Sequence, residues 1–366
     1  MSDSAPTPER HRTFSLRLDR LSGVYLWALI ILTFSLWKPS LFLSMATVHQ
    51  IASQQAVIGI MAIGLLVPLT AGTFDLSIGA VANLSTVVVV VLQTNQHFSI
   101  PLSIVVAVAV AVAIGLVNGF VVVKLGVSSF IVTLGMATIA TAIQTIVAGG
   151  NQPYPPTNPA WSNITNTQVF GFNIIIVYLI VLALLFWWIL DHTPAGRYWY
   201  AIGGNPEATR LSGGRVGLWT WLSLIISATL AGVAGVLYAS NFGPSLTYGS
   251  ALLLPAFAAA FLGSTQFRPG VLNLWGTLLA IFVLATGVQG FEYVTGAQWL
   301  SDMFNGVALI CAVSFAVWRQ RRAGELRRRR RSRSQAALPL DSAPPDAQAN
   351  SPDVVPTEAT IRSDIQ

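Results

Sequence analysis

The chain has 366 residues, of which 54% are hydrophobic and only 9% are charged. Because an ordinary globular domain carries about 25% charged residues, this composition excludes a single soluble core. The formal net charge is +6, and nine arginines lie between Arg319 and Arg333, directly after the last apolar run. A basic cluster in that place indicates a topology anchor rather than a surface for nucleic acid.

Apolar runs divide most of the chain into segments of membrane-spanning length. A span needs about 20 mostly apolar residues, and a chain in hydrocarbon satisfies its backbone groups within helices. The first run exceeds the apolar region of a usual signal peptide, so we expect it to be retained. The runs predict ten helices: 21–37, 48–69, 75–92, 100–123, 130–148, 173–190, 217–240, 251–266, 271–290 and 299–318.

The lysines and arginines between the runs predict the orientation. If the N-terminus lies inside, the outward connections carry only Lys38, and the loop 149–172 holds no Lys, Arg, Asp or Glu. The inward connections then carry Lys124, Arg197, Arg210, Arg215 and Arg268. This asymmetry follows the positive-inside rule.

The predicted fold class is therefore all-α, a polytopic integral membrane protein with about ten transmembrane helices and both termini cytoplasmic. The composition divides it into a polar N-terminal segment (1–20), a transmembrane domain (21–318) and a C-terminal tail (319–366). The tail begins with the arginine-rich run and continues without apolar periodicity, which predicts disorder.

Four segments are candidates for the function, and the first, Gly-Thr-Phe-Asp-Leu-Ser-Ile-Gly at 72–79, leads into the third predicted span. A carboxylate at membrane depth is costly and commonly faces a polar cavity. Two interpretations of Asp75, with Ser77 beside it, stay open. The carboxylate caps the free N–H groups at the start of the span, or it takes part in transport of a solute.

The second segment, 115–119, has glycines four residues apart in the fourth predicted span. This spacing lets two helices approach closely. Asn118 between the glycines suits either a hydrogen bond across that contact or the lining of a polar pathway. Further uncharged polar residues at membrane depth are Thr133, Gln144, Thr286 and Gln289. Such residues suit a neutral polar solute.

The third segment is the inward loop 191–217, which is longer than a simple connection requires. Gly203 and Gly204 predict the end of the preceding structure. Asn205 is a favourable N-cap, and Pro206 suits the first helical position. A new helix is therefore expected to begin here.

This helix is predicted to make about two turns, to carry Glu207 and Arg210, and to end with Ser212 before two glycines. We expect it to dock a soluble partner. A solvated linker is the alternative.

The fourth segment, 254–270, is rich in small residues. Pro255 predicts a broken or kinked helix, and broken helices commonly line solute sites in transporters. Tight helix packing explains the small residues equally well.

Residues that other functions need are missing from the sequence. The two lysines, Lys38 and Lys124, do not follow a phosphate-binding glycine loop, the four histidines are scattered, and no metal-ligand spacing or nucleophile elbow occurs. We therefore expect a chain that is not an enzyme, with no cofactor, no metal and no ATPase site of its own.

Residues 45–318 resemble the permease subunits of bacterial ABC importers of the ribose/xylose/arabinose type. Four motifs carry the resemblance: 72–79, 115–119, Ser-Phe-Ile-Val-Thr-Leu-Gly-Met at 129–136, and Gly-Gly-Asn-Pro-Glu-Ala-Thr-Arg-Leu-Ser-Gly at 203–213. One departure stands out, because many such permeases have Glu and Asp where this chain has Leu253 and Pro255.

The resemblance implies several partners. They are a separate ABC ATPase that binds ATP, a periplasmic or lipid-anchored solute-binding protein, and a second permease copy. The resemblance also implies that the chain itself lies in the bacterial inner membrane. It also implies that the helix around 205–212 is the coupling helix that docks on the ATPase.

The function predicted from this resemblance is the membrane-spanning subunit of an ATP-driven importer. It would carry a small neutral polyhydroxylated solute, a monosaccharide, by alternating access. Permeases for branched-chain amino acids or nucleosides remain alternatives, as does an ion-coupled secondary carrier.

Overall fold

The computed structural model describes residues 18–314 except 269, 298 and 312, and for residues 18–22 it describes the backbone alone. The helices are α1 (Leu18–Trp37), α2 (Pro39–Phe42), α3 (Met45–Thr70), α4 (Ile78–Thr94), α5 (Ile100–Lys124), α6 (Ser129–Val147), α7 (Pro159–Asn166), α8 (Ile175–His192), α9 (Pro194–Gly204), α10 (Pro206–Leu211), α11 (Val216–Phe242), α12 (Tyr248–Gly263), α13 (Leu274–Thr295) and α14 (Trp299–Cys311). An antiparallel hairpin, β1 (Gln168–Val169) and β2 (Phe172–Asn173), lies between α7 and α8.

The first nine predicted segments coincide with helices within a few residues, and the tenth begins with α14 but ends outside the described residues. Among the described residues, six helices are long and apolar enough to cross a membrane, namely α3, α5, α6, α8, α11 and α13. Shorter apolar stretches come from α1, α4, α12 and α14. The all-α, multi-pass membrane fold is therefore confirmed. Most of the predicted N-terminal segment and the whole arginine-rich tail lie outside the described residues.

Helices α3 and α11 form the centre of the described structure. Every residue of α3 from 56 to 70 is buried, and α11 packs against α3, α4 and α5. The outer helices α5, α6 and α8 instead expose large apolar side chains, such as Val105, Ile146 and Val181. A large exposed apolar surface marks contact with a partner or a membrane, and here it fits lipid.

The close approach predicted for 115–119 occurs between α5 and α11. A Cβ atom added at Gly115 would lie 2.9 Å from the Cα of Ile225, and one added at Gly119 would overlap the Trp221 ring. The Trp221 indole also donates a hydrogen bond to the Leu116 carbonyl at 3.1 Å. These glycines therefore serve helix packing.

The elements α3–α6 and α11–α14 follow the same plan. In each, a long buried helix is followed by a turn, a shorter helix (α4 or α12) and two further helices. The first turns of α4 and α12 cross at Gly79 and Gly249, where a side chain on either would collide with the other's backbone. Asn83 fixes this crossing, because it accepts the Gly249 N–H at 2.6 Å and donates to the Leu246 carbonyl at 2.8 Å.

The predicted break at Pro255 is wrong, because α12 continues from Tyr248 to Gly263 with this proline inside it. Proline has no N–H, so the carbonyl of Ala251 loses its usual helical partner. Packing of α12 against α3, α4 and α13 supports the helix in spite of that loss, as neighbouring helices commonly do in membranes.

Candidate functional site

The loop between α8 and α11 contains two helices, α9 and α10, where the sequence predicted one. The expected end of the preceding structure at Gly203 and Gly204 is confirmed, since α9 ends at Gly204 and Asn205 is its C-cap. A side chain at Gly203 would collide with the carbonyl oxygen of Thr70 at the end of α3. Glycine is needed here for close approach of two backbones, and the chain turns one residue later.

Helix α10 itself is confirmed with its caps. The Asn205 side chain accepts the Ala208 N–H at 3.0 Å, and a proline occupies the first helical position. At the other end, the Ser212 hydroxyl donates to the Thr209 carbonyl at 2.9 Å, and Gly213 has a φ of 85°. Local capping preferences therefore explain why a helix of only two turns forms here.

Helix α10 presents a mixed surface of charged and apolar side chains. Glu207 and Arg210 form an ion pair at 3.0 Å, with their side chains 62% and 71% exposed, and Leu211 is 82% exposed. We call these three residues the α10 surface. Our sequence reasoning missed Leu211, although a large apolar residue on a short helix of a polar loop is a signal for a docking contact.

Helix α9 anchors α10 to the membrane helices. The buried Trp199 donates from its indole to the Trp219 carbonyl of α11 at 2.9 Å, and the Tyr200 hydroxyl donates to the Leu272 carbonyl at 2.8 Å. Together with the Gly203 contact to α3, these bonds connect the loop to α3, to α11 and to the segment before α13. A displacement of α10 would therefore act on all three.

An ion pair stands beside this anchor. Arg268 donates to both carboxylate oxygens of Asp191, at 2.8 and 3.1 Å, and so joins the end of α8 to the α12–α13 connection. Burial, with a smaller contribution from the Asp191 charge, raises the pKa of Tyr200 from 10 to about 12, while Arg268 acts in the opposite direction. The Tyr200 hydroxyl therefore keeps its proton and its hydrogen bond at physiological pH.

Four of the five residues predicted for the solute path or the helix cap lie together. Asp75, Ser77, Asn118 and Thr133 are all fully buried. The Asp75 carboxylate accepts from the Ser77 N–H at 3.0 Å and from the Ser77 hydroxyl at 2.5 Å. Asn118 donates to the same hydroxyl at 3.0 Å, and Thr133 accepts the Leu76 N–H at 3.0 Å.

This cluster shapes the turn that leads into α4. The N-cap of α4 is Ser77 rather than Asp75, and the carboxylate holds the turn by binding that residue. Asn118 reaches across to the start of α4, not to α11 as the contact between those helices suggested. Asp75, Ser77, Asn118 and Thr133 are fully buried, and their hydrogen bonds hold this turn.

Gln289 lies apart from this cluster. It is 7% exposed and lines a cavity of about 210 Å³ between α3, α12, α13 and α14. The other polar residues noted in the sequence have partners elsewhere, since Gln144 donates to the Leu246 carbonyl and Thr286 accepts from the Trp27 indole. Within the described residues, no group of three His, Cys, Asp or Glu side chains is placed to hold a metal ion.

Known proteins resemble this chain over most of its length. The model of a family described as "Branched-chain amino acid transport system / permease component" matches residues 47–313. The D-allose transport system permease protein of Escherichia coli is 26% identical over 302 residues, or 82% of this chain and 92% of that protein. The L-arabinose ABC transporter permease protein of Azospirillum brasilense is 28% identical over 342 residues, which cover 88% of this chain and 95% of that protein.

The ribose import permease protein of Bacillus subtilis is 28% identical over 300 residues, which cover 81% of this chain and 91% of that protein. No solved structure is significantly similar to the chain.

Proposed function

The chain belongs to the family of branched-chain amino acid transport system permease components, and on this basis we propose that it forms the membrane path of an ABC importer for a monosaccharide. The relatives named above are permeases for D-allose, L-arabinose and ribose. These names favour a sugar over a branched-chain amino acid or a nucleoside. They also favour an ATP-driven importer over an ion-coupled carrier.

The proposed topology has ten crossings of the inner membrane, with both termini cytoplasmic. Contacts at one end of the molecule support it, because the Gly23 N–H of α1 donates to Gln266 at 2.7 Å. The nearby Arg268 pairs with Asp191 at the end of α8. The starts of α1 and α13 and the ends of α8 and α12 thus lie on one side, as an N-terminus inside requires.

The observation that carries the proposal is α10, a capped two-turn helix that exposes Glu207, Arg210 and Leu211. In the proposal, the α10 surface docks on a separate ABC ATPase, which binds the ATP. The sequence supports this division of labour, since neither lysine follows a phosphate-binding glycine loop. The chain would then work without a cofactor of its own.

Alternating access follows from how α10 is anchored. When the ATPase closes on ATP, it would displace α10, and α9 would carry the displacement to α3 and α11 through its contacts at Thr70 and Trp219. The remaining partners in the proposal are a solute-binding protein that delivers the sugar from outside and a second permease copy. Asp75, Ser77, Asn118 and Thr133 would keep the turn before α4 fixed during the cycle.

Uptake assays test the proposal. Cells lacking the permease gene are supplied with the wild-type chain, and their uptake of labelled ribose, allose, arabinose, galactose and fructose is measured. We expect at least one sugar to enter in an ATP-dependent manner. Uptake of none of them, or uptake that persists without the ATPase, would contradict the proposal.

Charge variants test the docking role of α10. Glu207→Lys and Arg210→Glu should each abolish uptake without loss of membrane insertion, because a reversed charge disrupts docking. The double variant that exchanges the two charges restores the ion pair within α10, so it should remain inactive if the charges face the ATPase. Recovery of uptake in that variant would show that the pair is only structural. Lys124→Gln, which removes an exposed charge on α5 without reversing it, is the control and should retain uptake.

A further inference from the structure

The cavity that Gln289 lines gathers polar side chains from four helices. These side chains are Gln54 and Gln55 of α3, Tyr248 of α12, Gln289 and Glu292 of α13, and Ser301, Asp302 and Asn305 of α14. Polar and ionisable groups at membrane depth are costly and commonly mark a functional site. Their convergence from distant parts of the chain therefore calls for a polar ligand.

The side chains have hydrogen-bonding capacity to spare. The Gln289 amide donates to Glu292 at 3.5 Å, which is the long limit for such a bond. An amide both donates and accepts, whereas a carboxylate accepts only. A ligand that offers several hydroxyl groups, each a donor and an acceptor, matches this set.

Helix α12 adds a backbone acceptor to the cavity. Ala251 and Pro255 both line it, and the proline leaves the Ala251 carbonyl without its helical N–H partner. Ala251 is exposed, so this carbonyl is not enclosed by the helices around it. A hydroxyl group in the cavity would satisfy it.

Charge and size narrow the ligand class. The described lining residues include two acids, Glu292 and Asp302, and no lysine or arginine, so sugar phosphates and sugar acids would be repelled. The cavity of about 210 Å³ is smaller than the roughly 300–1,000 Å³ of pockets for drug-sized ligands. This volume suits a single sugar ring rather than a disaccharide.

We propose that each copy of the chain binds the transported solute in this cavity, as a neutral monosaccharide whose hydroxyl groups bond to Gln55, Gln289 and Glu292. This inference rests on the proposed function. The cavity borders the first half of α3, away from the Thr70 end that contacts Gly203. The sugar therefore enters from the side opposite the α10 surface.

Two leucine variants test the hydrogen bonds. Gln289→Leu and Gln55→Leu keep a side chain of similar size but remove the amide, and each should lower the rate of sugar uptake about tenfold. Gln93→Leu is the matched control, because Gln93 is partly buried and donates to Val89 within its own helix, outside the cavity. Membrane abundance of each variant is measured alongside uptake.

Cysteine protection tests occupancy directly, even if a leucine variant folds poorly. The chain has one cysteine, Cys311, which is first replaced in Cys311→Ser. Gln55→Cys in that background should react with a membrane-impermeant thiol reagent from outside. The sugar that the cells take up should slow this reaction several-fold, while labelling of Gln93→Cys should stay unchanged.

The outcomes separate the two proposals. If no sugar of the panel is taken up, the proposed function fails. If a sugar is taken up, but both leucine variants transport it normally and it does not protect the cysteine at position 55, the cavity inference alone is wrong. Protection by an amino sugar but not by any neutral sugar would overturn the neutral ligand class.

Discussion

Replacing Gly203 with alanine tests whether α9 must lie directly against the end of α3. The new Cβ atom would collide with the Thr70 carbonyl oxygen and would stand 3.3 Å from the Gly72 nitrogen. Both neighbours are backbone atoms, so the helices have to separate. Overpacking of this kind costs about 1–3 kcal/mol, and the higher helix propensity of alanine offsets roughly 0.5–1 kcal/mol. The net loss in the free energy of unfolding is then up to about 2.5 kcal/mol.

The adjacent glycine provides a matched control. A Cβ atom at Gly204 would meet no atom within 4 Å, and the residue lies in a helical turn. Gly204→Ala should therefore leave packing unchanged and stabilise the helix by roughly 0.5–1 kcal/mol. The two neighbouring substitutions are expected to have opposite signs.

Thermal unfolding of the purified permease and sugar uptake in cells measure the two effects. Gly203→Ala should lower the unfolding midpoint by a few degrees and reduce uptake per molecule, because α9 no longer holds α10 in place. Gly204→Ala should keep both at or above the wild-type values. Equal midpoints and equal uptake for the two variants would refute the argument that α9 requires glycine at its contact with α3.

Three further substitutions or deletions have defined outcomes. Ser77→Ala removes the hydroxyl that binds both Asp75 and Asn118. The free energy of unfolding should fall by about 1–3 kcal/mol, and the yield and the unfolding midpoint should fall with it. Unchanged values would contradict the role of this cluster. Tyr200→Phe removes the hydrogen bond to the Leu272 carbonyl, so below pH 10 it should lower the free energy of unfolding by about 1 kcal/mol. Because the pKa of Tyr200 is raised to about 12, the stability difference between wild type and Tyr200→Phe should disappear as the pH rises from 10 to 12. A stability difference that stays constant over that range would contradict this prediction. Deletion of 334–366 should leave uptake unchanged. Loss of uptake in the truncated chain would contradict the prediction that this tail is disordered.

Local features of the structure were predictable from the sequence. The apolar runs located the long apolar helices, because length and hydropathy are properties of a single segment. The caps of α10 were equally readable, since Asn205 and Pro206 act within the same turn. The apolar segments and the caps of α10 depended only on neighbours in sequence.

Features that depend on distant contacts were not predictable. Gly203 indicated the end of a helix, but nothing in the local sequence indicated that it lies against the Thr70 carbonyl. Pro255 looks like a break until the packing of its neighbours is known. In the same way, Gln289 alone indicated a polar position, but Gln55 and Glu292 became part of one cavity only through the packing of α3 against α13.

Helix α3 connects the two regions to which a role is proposed. Gln55 lies at the cavity and Thr70 lies against Gly203 of the loop, so the contacts are separated by 15 residues of helix, or about 22 Å. Pro68 removes one helical hydrogen bond near the loop end. However, its carbonyl accepts the N–H groups of Ala71 and Thr73, which ties the last turn to the residues that follow.

The burial of α3 decides how it can respond to the loop. Residues 56–70 are all buried, and packed interiors yield little to local compression. A displacement of α9 at Gly203 is therefore not absorbed within α3 but shifts the helix against its neighbours α11 and α13. Since α3 and α13 are two of the four cavity walls, such a shift changes the cavity that the proposed sugar occupies. In the proposed importer, this connection would let a motion driven at the α10 surface alter sugar affinity at the opposite end of the molecule.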